Sequence, residues 1–189
     1  MGLFTRIFKP KYKHNNPEVR IKEIKQITDE NILLEIIETD PSTTVRCEAI
    51  KKISDKKLLV NLTKNSNSLI RKAAIENPNF TDEKLLIKIL KSDTDKDVRK
   101  SAIKNANLKD QTVITDIAKK DENSLVRMEA IKRVSDNKLL EKIALNDENV
   151  LIKQTAINTI RDEEILLRIL QNTNDESIRK VIVEHMHYL

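Results

Sequence analysis

Residues 121–131 read DENSLVRMEAI, and this stretch decides the fold. The apolar residues that repeat in register are Val126, Ala130 and Ile131, continued by Val134. Offsets of 0, +4, +5 and +8 fall near 0°, 40°, 140° and 80° on a helical wheel, one stripe of an amphipathic α-helix. A basic residue follows the leading apolar one, and the pair recurs as Val19-Arg20, Val45-Arg46, Ile70-Arg71, Val98-Arg99, Val126-Arg127, Ile152-Lys153 and Ile178-Arg179. Successive copies are 26, 25, 28, 28, 26 and 26 residues apart. A fixed period of this length marks a repeat architecture. The fifth position on is always aliphatic: Ile24, Ile50, Ile75, Ile103, Ile131, Ile157 and Val183. The eighth is Ile27, Ile53, Pro78, Ala106, Val134, Ile160 and Met186. We call these segments VR helices.

Between them runs a second amphipathic pattern, apolar at i, i+1, i+4 and i+5. Leu85-Leu86-Ile89-Leu90 and Leu139-Leu140-Ile143-Ala144 are examples. We call these LL helices. Asp29, Asp55, Asp82, Asp110, Asp136 and Asp162 stand where they begin and are expected to cap them. Asn65, Asn77, Asn105, Asn146 and Asn172 stand where helices should end. With one glycine in the chain, they are the expected left-handed C-caps. The two 28-residue spacings come from longer turns at 77–81 and 105–109. Leu3, Phe4, Ile7 and Phe8 repeat the LL pattern, which makes residues 1–16 a degenerate first helix and loop. The alternative for segment 3–13, with its basic residues, is a membrane-surface helix. One short segment binds bilayers weakly, so a membrane role is not the expectation. The expected fold class is all-α, an α-solenoid of about seven helical hairpins spanning 1–189 as one domain.

The repeated core Asp-x4-Val-Arg-x2-Ala-Ile, seen at 40–50, 93–103 and 121–131, resembles the HEAT-like repeat family. Asn65 and Thr173 replace the Asp in two copies. The repeats are shorter than typical for that family, and the Asn-Pro-Asn turn at 77–79 is also similar to leucine-rich-repeat variants. The resemblance implies a right-handed superhelix with the VR helices lining its concave side. It also implies a ladder of Asp and Arg along the stack. The wheel agrees that the basic +1 residue, near 100°, lies inside the apolar stripe and must find a carboxylate. Arg20, Arg46, Arg71, Arg99, Arg127, Lys153 and Arg179, with Asp40, Asp93, Asp121 and Asp147, are therefore read as structural.

Positions +2, +3, +6 and +7 face outward on the wheel. They carry Lys22, Lys25, Lys51, Lys52, Lys72, Lys100, Lys104, Lys132, Arg133 and Lys180 against Glu48, Glu76, Glu129 and Glu184. The surplus of six exceeds the whole chain's formal +5. A basic groove implies an acidic partner, a protein segment or a phosphate backbone; the plain alternative is a solvated lysine face. No Trp is present and aromatics are 3%, so base stacking lacks platforms.

A lone glycine, Gly2, excludes glycine-rich phosphate cradles. The one cysteine, Cys47, fits a reducing compartment, and no apolar run reaches membrane-span length. These point to a cytoplasmic protein. No catalytic constellation, metal site or cofactor motif emerges: His185 and His187, two apart, do not share a helix face. HEAT-like DNA glycosylases use an aromatic-lined groove that is absent here. The family's hydroxylases use His-Glu iron ligands, also absent, and nothing marks a lyase-accessory pocket. The expectation is a non-enzymatic scaffold that binds an acidic or helical protein segment. Sequence-independent DNA or RNA backbone binding is the first alternative, and a glycosylase or lyase-accessory role the second.

Overall fold

A computed structural model describes residues 10–189, and the predicted helix in segment 1–9 lies outside them. The described chain is all-α, 69% helical, with no strand. After a 3-10 turn at Lys11–Lys13, thirteen α-helices follow. The VR helices are α1 (Pro17–Ile24), α3 (Thr43–Ile50), α5 (Ser68–Glu76), α7 (Lys96–Lys104), α9 (Ser124–Ile131), α11 (Val150–Thr159) and α13 (Glu176–His187). The LL helices are α2 (Glu30–Thr39), α4 (Lys56–Leu62), α6 (Glu83–Ser92), α8 (Gln111–Lys120), α10 (Asn137–Asn146) and α12 (Glu163–Asn172). Each phase change in the hydrophobic pattern is thus a change of helix.

The helices group into two compact units, 1–82 and 83–189. Within the first, α1 packs on α3 and α3 on α5, while α2 backs α3 and α4 backs α5. Within the second, α7, α9, α11 and α13 lie side by side, each against its LL partner, and α10 packs on α12. The packing is repeat-like. Apolar area is removed from water at roughly 25 cal/mol per Å², so a helix this short is held by its neighbours and not by propensity. Val45, Val98, Val126 and Ile152 are 0% exposed, as is the +5 isoleucine of each of those repeats.

Two expectations are corrected. No described residue has a positive φ, so the asparagines are not left-handed C-caps. Asn77 and Asn105 end their helices in extended backbone, at φ −66° and −63°. Their side chains instead accept a hydrogen bond from the amide two residues on, as does that of Asn65. Such a local turn satisfies the backbone without a Cβ clash. Nor do Pro78 and Ala106 fill the +8 core position; both are exposed. The longer turns deliver Phe80 and Leu108 there instead, 1% and 0% exposed. Their amides bond the carbonyls of Asn77 and Asn105, as Ile53 bonds Ile50 where the turn is short. Two extra residues are absorbed while one buried side chain per repeat is kept.

Candidate functional site

The residues singled out for function lie on the VR helices or in the turns that directly follow them. At +1, the Arg20 Nε and Nη2 donate to both Asp40 oxygens at 2.7 and 2.9 Å, and Arg99 does the same to Asp121 at 2.8 and 3.0 Å. Both pairs are buried and bidentate. The hydrogen bond that each guanidinium donates to its carboxylate is the main cause that raises its pKa. The partner lies in the following repeat. The remaining Nη1 donates to carbonyls of the arginine's own loop, His14 and Asn15 for Arg20 and Asp93 for Arg99. Each such arginine ties its own turn to the next one. Arg71, Arg127 and Arg179 hold their own loops in the same way.

Arg46 differs. The following repeat offers Asn65 in place of a carboxylate. Its Nη2 donates to the Thr43 hydroxyl, and its Nε is buried with no partner. Lys153, half-buried, faces a repeat where Thr173 replaces the Asp. Asp175 is held below its ordinary value, chiefly by the Ser177 hydroxyl, and the charge of Lys153 adds to this. The ladder aspartates have a second task. Asp40, Asp93, Asp121 and Asp147 each accept from the amide of the residue two on. That residue is the N-cap of the VR helix: Ser42, Asp95, Asn123 and Asn149.

The ten outward cations do not form one set. Lys52 donates to the carbonyls of Ile24 and Lys25 at 2.9 and 3.0 Å and to that of Ile27. Arg133 likewise donates to Ile103, Asn105 and Leu108. Burial lowers the pKa of Arg133. Both stand at +7, and both close the C-terminus of the preceding VR helix, where orphan carbonyls attract positive charge. Asn77 and His185, also at +7, reach the carbonyls of Ile50 and Ile53 and of Ile160. Position +7 is therefore a second ladder, invisible to a wheel drawn for one helix. Position +3 is also partly enclosed: Ala73, Ser101 and Thr155 are buried.

Five of the other cations pair along their own helix. These are Lys51 with Glu48, Lys72 with Glu76, Lys100 with Asp97, Lys132 with Glu129 and Lys180 with Glu184. Lys22, Lys25 and Lys104 are exposed and make no ion pair among the described residues. The acids Glu18 and Asp97, at −1, also belong to this face. Eight solvent-facing cations then stand against six acids, so the face is only mildly basic. The wheel also passed over position −1 in other copies, where Leu69, Leu125 and Leu151 are 52%, 46% and 58% exposed.

Little here suggests chemistry. The half-buried Cys47 thiol has its pKa pushed up by desolvation, the reverse of an activated nucleophile. It donates to the Leu69 carbonyl at 3.4 Å. No group of three or more metal-ligating side chains converges among the described residues, and no described helix is long and apolar enough to cross a membrane. The features define an all-helical protein with repeat-like packing and a polar–apolar VR face. No known family profile matches the chain, and no curated protein matches it in sequence.

Proposed function

We propose that the chain is a HEAT-like α-solenoid, a right-handed superhelix of about seven hairpins. It acts without catalysis as a cytoplasmic scaffold that binds a protein segment along its concave VR face. The carrying observation is the use of that face. Positions +1 and +7 are spent on holding repeats together, whereas −1, +2 and +6 present lysines and leucines to solvent. Among the described residues, Lys22, Lys25 and Lys104 have no ion-pair partner to give up on binding. A face that mixes cations with exposed aliphatics suits an acidic, helical protein segment better than a phosphate backbone, which asks for positive charge alone.

The test is affinity purification with the wild type and with a Lys25/Lys51/Lys104/Lys132 charge reversal. The reading predicts a specific partner that is lost in the variant. Retention of all partners by the variant sinks it. Salt-sensitive capture of random duplex DNA by the wild type at low ionic strength would instead favour the nucleic-acid alternative.

A further inference from the structure

On α9 and α11, Leu125 and Leu151 occupy the same position, just ahead of the leading apolar residue, and both are about half exposed. Single exposed leucines are ordinary on protein surfaces. These two are in register on helices that pack side by side. The first unit measures how neighbouring VR helices align: the Cys47 thiol at +2 on α3 meets the Leu69 carbonyl at −1 on α5. Half-buried Met128 holds that +2 position on α9, and Leu151 the −1 position on the neighbouring α11. We infer that Leu125, Met128 and Leu151 form an apolar ridge that docks the apolar side of an amphipathic helix from another protein, whose acidic flank meets Lys104 and Lys132. This deepens, and rests on, the reading of the VR face as a binding surface.

Spacing and charge identify the occupant. Packed helices lie about 8–10 Å apart, and seven residues of an α-helix rise about 10 Å. A partner helix laid across α9 and α11 therefore meets the two leucines with residues i and i+7. On α9, Leu125 at −1 and Lys132 at +6 are also seven residues apart, about the width of one incoming helix. One side of that helix then covers leucines while its flank reaches lysines. Among the described residues exposed Lys104 makes no ion pair, and Lys132 is shared with Glu129 only across one turn at 3.1 Å. Such a surface pair is weak enough to be exchanged. A second copy of this chain would bring its own lysine row to the same place, like charge against like.

The full chain would be panned against a displayed library of helical peptides with randomised outer positions. Binding of the enriched peptides would then be measured by fluorescence anisotropy. Enriched sequences should share an apolar pair at i, i+7 with an acidic flank. L125S/L151S should weaken them at least about tenfold. K104E/K132E should weaken them severalfold, and a lysine-flanked version of the peptide should restore the affinity. Unchanged helical circular dichroism and melting keep the loss attributable to the surface. Enriched peptides that bind L125S/L151S as tightly as wild type overturn the ridge. If those same peptides fail on K22E/K25E/K51E, the ridge falls while VR-face binding stands. If no peptide is enriched, both fall. Self-association in sedimentation that L125S/L151S abolishes assigns the ridge to a second copy and also overturns the proposal.

Discussion

Arg46 is the residue whose environment departs furthest from its repeats. A buried guanidinium nitrogen with no acceptor costs free energy that a carboxylate two helices on would recover. Asn65→Asp should therefore stabilise the chain by about 1–2 kcal/mol, read as a rise in urea midpoint at constant slope. Asp121→Ala should do the opposite and more strongly. It strands the buried Arg99 and removes the acceptor that bonds the Asn123 amide, at a cost of about 3–5 kcal/mol in thermal or urea unfolding. Glu30 offers a pH handle. Its carboxylate accepts from the Ser54 amide and hydroxyl and from the Asp55 amide, and the Ser54 amide is the main cause that lowers its pKa from 4.5. A lowered folded pKa gives stability that is complete above pH 4.5 and is lost as pH falls through the folded value. The melting-temperature gap between wild type and Glu30→Gln should be constant above pH 4.5 and close below it. A gap that does not narrow at all as pH falls below 4.5 would contradict the assignment.

At the scale of the element, short helices are bounded by side chains at both ends. Asp29, Asp55, Asp110, Asp136 and Asp162 cap LL helices as their position in the sequence suggested. The VR caps Asn16, Asn67, Asp95, Asn123, Asn149 and Asp175 were equally legible, three residues before each leading apolar residue. Their regular Asx spacing was the available signal. Asp136→Ala should cost about 1 kcal/mol of stability. The longer turns hold Phe80 and Leu108, so Phe80→Ala should cost about 3–5 kcal/mol, more than any single surface lysine. Equilibrium urea unfolding of both variants is the check.

At the scale of the molecule, consecutive repeats within each unit are linked by hydrogen bonds that reach from one VR turn to the next, and stability in such arrays is a sum of local and nearest-neighbour terms. Loss of the Arg99–Asp121 pair should then raise amide exchange most in residues 83–189 and least at α1 to α3. Uniform acceleration along the chain would contradict that picture. With eight cations against six acids on the VR faces, the chain should not capture random duplex DNA even at low ionic strength.

The sequence by itself determined that the chain is helical, where each described helix lies and, apart from Pro78 and Ala106, which stripe each buries, because period and phase are properties of adjacent residues. It also placed Arg20 and Arg99 within the apolar stripe, since a +1 cation has nowhere else to go. What only the tertiary structure decided is which outward cations are spoken for. Lys52 and Arg133 look like Lys51 and Lys132 on a wheel, yet they reach carbonyls 25 to 30 residues earlier. That choice is made across a packed interface, where unpaired carbonyls at a neighbour's end draw in whichever long cation lies within reach.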